Sequence, residues 1–300
     1  MVEDIVVDYS KTLPENVTTY LEVAGVLLIS CVFIFLFINI KKNKGQFIPV
    51  LAGILGFAIF GFMTYNMLVV AIVNLIPGIQ DLYAENTNSI IVLLAIVQAA
   101  MLTVARMVMA NLLDKSKRLN KPNSFNLGIG IGIGNIVVYG ITIITMIIWC
   151  TAIQQDGLEK IFSGLGDEAE IKSVYNSIVN VFDYKAEMWL ALAVGYALDM
   201  IIQMMLTWLD ACATLKKIPG VWHFIGCVIN VITIVSFSIY DGTSYQGFLV
   251  PFTIKMLLTA AVVVIVLKVT NVDMDDQDRD EASKQRGFKS VAKMGNLSKL

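Results

Sequence analysis

Long apolar stretches separated by short polar loops dominate the pattern of this chain. A helix that crosses a membrane needs about 20 apolar residues to span a hydrocarbon layer of roughly 30 Å. Segments of that length and character are residues 19–40, 47–74, 89–113, 126–152, 187–213, 221–240 and 247–268. The pattern therefore predicts an all-α, polytopic integral membrane protein whose fold is a bundle of seven transmembrane helices.

The composition agrees with this class and restricts the chemistry. Of 300 residues, 57% are apolar and 15% are charged, whereas soluble domains have about 45–50% apolar and about 25% charged residues. A net charge of -2 argues against a nucleic-acid partner. The single histidine, His223, excludes sites that need two histidines, and the four cysteines form no CxxC pair. The sequence predicts no cofactor.

Lysine and arginine lie unequally on the two sides of the predicted spans. Most of the 22 basic residues fall in the loops after the first, third and fifth spans and in the tail after the seventh. Because cytoplasmic loops are enriched in these residues, the N-terminus is predicted outside and the C-terminus in the cytoplasm, in the cell membrane. The predicted divisions are a short extracellular N-terminus (1–18), a seven-helix membrane domain (19–268) and a charged, disordered cytoplasmic tail (269–300).

One loop on the predicted outer side is long enough to contain a helix of its own. Asp167 followed by Glu170 resembles a capping box, and the apolar residues after it recur at helical spacing. These apolar residues are Ile171, Val174, Tyr175, Ile178 and Phe182. We expect an external amphipathic helix at about 167–185, either lying on the outer interface over the bundle or moving as a lid above a cavity.

Several polar side chains fall at membrane depth, where they are costly and normally face the bundle interior. The candidate site or buried network consists of Arg106, Asn135, Asp199, Gln203, Asn230 and Lys255. Estimated depths predict a pair between Asp199 and Lys255, and hydrogen bonds from Arg106 to Asn135 and Gln203. Two interpretations remain open: a network that only fixes helix order, or a solvated cavity for a substrate or proton.

The fourth predicted span opens on a glycine repeat. Its glycines are Gly128, Gly130, Gly132 and Gly134, which form two rows at a spacing of four residues. Such rows allow close helix approach, so helix packing is the first interpretation and a loosened helix beside a pocket is the second.

A mixed-ligand metal site is a weaker hypothesis. Its candidate ligands bracket the loop 214–220 and are Asp210, Cys212, His223 and Cys227. Because these residues are scattered along the sequence, we predict no metal.

Four segments between about residues 47 and 200 carry recognisable patterns of apolar, glycine and polar residues. They are FIPVLAGILGFAIFGF at 47–62, RMVMANLLDK at the end of 91–115, GIGIGNIVVY at 130–139 and EMWLALAVGYALD at 187–199. These segments resemble the YhfC family of intramembrane metalloproteases, relatives of the CAAX-processing and PrsW-like proteins. In order, they are similar to the family's second span, to its span with Glu-Glu-x-x-Arg, to its motif Gly-x-Gly-His-Gly-x-x-Glu and to its span with the second histidine.

The resemblance implies that the architecture is kept and the catalytic groups are lost. The family's arginine corresponds to Arg106. The positions of its glutamates, histidines and motif glutamate are occupied by Leu102, Thr103, Ile133, Val137 and Gly195. None of these supplies a metal ligand or a carboxylate base, which a peptide-cleaving zinc site needs.

These observations support two functional hypotheses. The first is a catalytically inactive relative of the protease fold that binds a membrane partner, either a helix of another membrane protein or a lipidic peptide, in a polar intramembrane cavity. The alternative is a small permease or the membrane subunit of a transport complex, with Asp199 and Lys255 as an ion-coupled site.

Overall fold

The computed structural model describes residues 7–79, 88–164, 168–238 and 243–270, and nearly all of them are helical. Two segments with wider π-helical turns extend or join helices: Ile38–Lys42 after α1 and Phe57–Thr64 between α2 and α3. The helices are α1 (Val17–Phe37), α2 (Ile48–Gly56), α3 (Tyr65–Leu75), α4 (Asn88–Lys115), α5 (Lys121–Asp156), α6 (Leu158–Ser163), α7 (Glu168–Asp183), α8 (Met188–Thr214), α9 (Val221–Ser238) and α10 (Tyr245–Thr270). The all-α prediction is confirmed for these residues.

Within the described ranges, six helical segments are long and apolar enough to cross a membrane. They are Val17–Lys42, Ile48–Leu75, Ser89–Lys115, Lys121–Asp156, Met188–Thr214 and Tyr245–Thr270. The predicted sixth span, 221–240, corresponds to α9, which has 18 residues and a length of about 27 Å. The chain is thus a multi-pass membrane protein by helix length and composition, and a seventh crossing remains a prediction.

The long helix α5 lies at the centre of the bundle. Its first turn contains Pro122, which needs no backbone partner, and the Asn120 side chain accepts from the Asn123 amide at 3.0 Å. From this start α5 runs for 36 residues and packs against α1, α2 and α8. Helix α4 packs on the other side, against α8 and α9. Helix α8 is therefore shared by both halves of the bundle.

The two predicted glycine rows of α5 face two different helices. An added Cβ at Gly128 would lie 2.5 Å from the Met204 Cα of α8, and one at Gly130 would lie 2.1 Å from the Val50 carbonyl oxygen of α2. Gly132 continues the row toward α8, and Gly134 continues the row toward α2 and its π-helical turns. Because α5 stays continuous through the repeat, the glycines permit close packing and do not unwind the helix.

The predicted external helix is α7, and its apolar face is packed onto the bundle. Tyr175, Ile178 and Phe182 are buried in the core that α1, α5 and α8 share. A hydrogen bond to the Asp183 carboxylate at the end of α7 raises the pKa of Lys11. This position agrees with a helix lying over the bundle.

Some sequence predictions fall on residues that are not described. The predicted cap Asp167 lies outside the described residues, as do residues 1–6 of the N-terminal segment and nearly all of the tail, 271–300.

The close approach of α2 and α5 gives a first test. We expect Gly130→Ala to lower the free energy of unfolding by about 1–3 kcal/mol, because its methyl group would overlap the Val50 carbonyl. The matched control on the same helix is Gly140→Ala, where nothing lies within 4 Å of the added carbon. The control should be neutral or stabilising by up to about 1 kcal/mol. Thermal unfolding in detergent measures both, and equal effects would contradict the packing.

Candidate functional site

A polar chamber lies inside the bundle and consists of two adjoining compartments. The smaller has a volume of about 140 Å³ and is lined by residues of α4, α5, α8, α9 and α10. The larger has a volume of about 300 Å³ and lies between the π-helical turns, α3, α4, α5 and α8. Gln98, Asn135 and Tyr196 line both. The chamber contains four of the predicted polar residues, namely Asn135, Asp199, Gln203 and Lys255.

The larger compartment opens on the side of the bundle. Phe62 of the π-helical turns and Val138 of α5 line it, and their exposed fractions are 49% and 42%. Asn66 and Thr142, one turn further along the same two segments, are also exposed and line it. These residues lie near the middle of two helical segments, Ile48–Leu75 and Lys121–Asp156, that are long and apolar enough to cross a membrane.

Asp199 and Lys255 form a salt bridge beside the smaller compartment, as the estimated depths predict. The Lys255 ammonium donates to Asp199 Oδ1 and lies 3.4 Å from the Thr233 carbonyl oxygen. The side chain of Lys255 is 1% exposed, whereas that of Asp199 is 18% exposed. The ammonium is thus enclosed by protein, and the carboxylate is the charged group that the chamber presents.

The predicted partners of Arg106 are correct in part. Its Nη1 donates to Gln203 Oε1 at 2.8 Å, but the predicted bond to Asn135 is wrong. Its Nε donates instead to Asp210 Oδ2 at 2.6 Å, and its Nη2 donates to Thr103 Oγ1 at 2.8 Å. Arg106 and Asp210 are both fully buried, and a buried guanidinium is best satisfied by a carboxylate rather than by an amide.

Asp210 and His223, which the sequence indicates only as weak candidates for metal ligands, belong to the polar network of Arg106. The other oxygen of Asp210, Oδ1, lies 2.8 Å from His223 Nδ1, so the carboxylate joins α8 to both α4 and α9. No group of three or more histidine, cysteine or acidic side chains among the described residues is placed to hold a metal ion. A sequence signal for the ion pair exists: Asp199, Gln203 and Asp210 lie on one face of α8.

These contacts form a continuous chain of polar groups. Gln203 lines the smaller compartment, accepts from Arg106 and donates from Nε2 to Asn230 Oδ1 at 3.2 Å. Arg106 continues the chain to Asp210 and then to His223, which is 17% exposed at the start of α9. Polar groups therefore extend from the chamber toward the opposite end of α8.

The positions that the resemblance assigns to the family's catalytic groups lie in different surroundings. Leu102 lines the smaller compartment, and Thr103 accepts a hydrogen bond from Arg106. Val137 is 53% exposed and faces a groove between α1 and α5, away from the chamber. Ile133 is partly buried and Gly195 is buried.

The chain was also compared with known proteins. No family model, no curated protein and no solved structure matches it.

The salt bridge at the chamber gives a second test. Asp199→Asn should lower stability by about 3–5 kcal/mol, because it leaves the buried Lys255 ammonium without its counter-charge. Lys255→Met should also lower stability, but by less, because the Asp199 carboxylate is 18% exposed. The double variant should recover much of this loss, since no isolated charge remains.

The control pair for this experiment is Lys160 with Asp156, whose side chains are 71% and 47% exposed. Lys160→Met should change stability by no more than about 1 kcal/mol. Thermal stability in detergent measures all four variants. Strictly additive losses at positions 199 and 255 would show that the two residues do not interact.

Proposed function

We propose that this protein is a catalytically inactive relative of the YhfC-type intramembrane proteases, and that its chamber binds an amphiphilic partner from the cell membrane. The partner is a lipidic peptide or the polar end of a membrane-embedded helix. The observation that carries this proposal is the lateral opening between Phe62 and Val138, which leads from the lipid-facing surface to the polar chamber.

The physical reason is the high cost of polar groups in hydrocarbon. A polar group in lipid without a hydrogen-bond partner costs several kcal/mol, so a membrane-embedded molecule gains free energy when its polar end finds partners inside a protein. The chamber offers amide and carboxylate groups at Gln98, Asn135 and Asp199. The opening lets the apolar part of the same molecule remain in the bilayer.

The absence of catalysis in this proposal is supported by residue chemistry. Leucine, isoleucine, valine and glycine supply no lone pair to a metal, and these residue types occupy four of the five positions that the resemblance assigns to the family's site. Thr103 occupies the remaining position, and its hydroxyl accepts from Arg106. We therefore assign binding rather than hydrolysis to the chamber.

We further propose that α9 makes a seventh crossing. Asp210 contacts His223 and Gln203 contacts Asn230, so α9 runs antiparallel to α8. Trp208 of α8 donates to Thr270 of α10 at 3.0 Å. Asp199, which precedes Trp208 on α8, contacts Lys255, which precedes Thr270 on α10. Helices α8 and α10 are thus parallel, and a chain that joins parallel spans must return across the membrane between them.

The topology of this proposal can be measured with cysteine labelling. In a chain whose native cysteines are replaced by alanine, Lys11→Cys should react with a membrane-impermeant maleimide in intact cells. Lys44→Cys, in the first basic loop, should react only after permeabilisation. Labelling of position 11 only after permeabilisation would contradict the proposed orientation.

The binding function can be tested by blocking the lateral opening. Val138→Trp places a large side chain at the opening, and we expect at least a tenfold loss of non-covalently bound amphiphile in native mass spectrometry of protein extracted into polymer nanodiscs. The control Ile148→Trp changes another lipid-facing residue of α5, exposed by 62%, that does not line the chamber. Equal occupancy in both variants would contradict the proposal.

A permease or a transport subunit remains the alternative, and one observation favours it. The polar chain from Asp199 and Gln203 through Arg106 and Asp210 to His223 would suit a path for protons or ions. Liposome uptake separates the two functions: a transporter accumulates solute in an ion-dependent manner, whereas a binding protein does not.

A further inference from the structure

The chamber contains hydrogen-bonding groups that no other described residue uses. Gln98 and Asn135 line both compartments, and their side-chain amides form no hydrogen bond to any described residue. The Oδ1 atom of Asp199 accepts a hydrogen bond from Lys255, and its Oδ2 atom has no hydrogen-bond partner in the described part of the chain. Because all three residues are half-buried and line the cavity, these groups are accessible to a ligand or to water.

The two charged groups of the chamber form a neutral pair, and the carboxylate is its more exposed member. Among the described lining residues of the chamber, the carboxylate and ammonium groups belong to Asp199 and Lys255 alone. The Lys255 side chain is 1% exposed and its ammonium is directed at Asp199 and the Thr233 carbonyl. A ligand in the chamber therefore meets the carboxylate, which is 18% exposed. Because a ligand contacts the carboxylate of this pair rather than the enclosed ammonium, a cationic headgroup is favoured over an anionic one.

The hydrogen-bonding capacity of these groups favours one kind of cation. A primary ammonium has three N–H donors and no acceptor. The chamber offers three matching acceptors: the Asp199 carboxylate and the side-chain carbonyls of Asn135 and Gln98. An alcohol can satisfy only one acceptor at a time, and a quaternary ammonium can satisfy none.

The walls of the larger compartment suit an apolar body attached to that ammonium. Tyr139 and Tyr196 stack with ring centroids 4.1 Å apart, and Phe57, Phe62 and Tyr65 complete the aromatic lining. Aromatic faces attract a nearby cation and also pack against alkyl or aryl chains. From this compartment the lateral opening leads to the bilayer.

We propose that the chamber recognises the ammonium group of a lipophilic primary amine, with the nitrogen among Gln98, Asn135 and Asp199 and the apolar body directed through the lateral opening. This proposal rests on the proposed binding function and names its ligand class.

The test measures binding of four eight-carbon amphiphiles to the full chain in detergent by isothermal titration calorimetry. The probes are octylamine, octanol, octanoate and octyltrimethylammonium. Octylamine should bind at least tenfold more tightly than octanol, and octyltrimethylammonium should bind more weakly than octylamine because it has no N–H donor. Octanoate should bind most weakly.

Substitutions then assign the nitrogen site. Gln98→Leu and Asn135→Leu should each weaken octylamine binding at least tenfold and leave octanol binding within twofold. Both variants should unfold at the wild-type temperature or above it, because neither amide has a described protein partner. The control Asn111→Leu changes an exposed amide of the same helix α4 that donates to the Met107 carbonyl, and it should not alter octylamine binding.

The outcomes separate the ligand class from the binding function. Equal affinity for octylamine and octanol would overturn the amine proposal and leave a general amphiphile site. Tighter binding of octanoate would overturn it in favour of an anion site at Lys255. If none of the four probes binds, the proposed binding function itself fails.

Discussion

The buried ion pair between Arg106 and Asp210 is the interaction on which the rest of the interior depends. Both side chains are fully buried at the junction of α4, α8 and α9. A single charge there would cost several kcal/mol, so each must keep its partners. Gln203 and Thr103 accept the remaining hydrogen bonds of the Arg106 guanidinium, and His223 contacts the second oxygen of the Asp210 carboxylate. This requirement fixes the relative positions of the three helices, and with them one side of the chamber.

The polar interior divides into groups with two different roles. The Arg106 cluster is satisfied within the protein, and such a cluster specifies one packing of the helices. Gln98, Asn135 and the outer oxygen of Asp199 face the chamber without a partner among the described residues. Natural proteins keep such groups where a ligand uses them, at some cost in stability. The same bundle therefore contains a structural network and a candidate binding site, and Gln203 belongs to both.

The sequence predicts a contact well where a residue type has few possible partners inside a membrane protein. Lys255 and Asp199 lie at similar depths on two spans, so a charge pair follows from the cost of burial, and the glycine spacing on α5 predicts two close helix contacts. The depth estimate predicts Asn135 as a partner of Arg106 because it counts from span midpoints, and that count puts Asp210 near the edge of the membrane. One wall of the larger compartment is formed by the widened π-helical turns at Phe57–Thr64. An apolar sequence pattern contains no signal for these turns, so neither they nor the chamber shape could be predicted.

We propose that the polar chamber opens laterally to the bilayer and holds the polar end of a membrane molecule. Electron cryo-microscopy of the full chain in lipid nanodiscs can detect such a molecule. We expect elongated density that passes between Phe62 and Val138 and ends within hydrogen-bonding distance of Asn135 and Asp199. If those two side chains seal the chamber from the bilayer and only isolated water-sized density lies inside, the proposed binding is wrong.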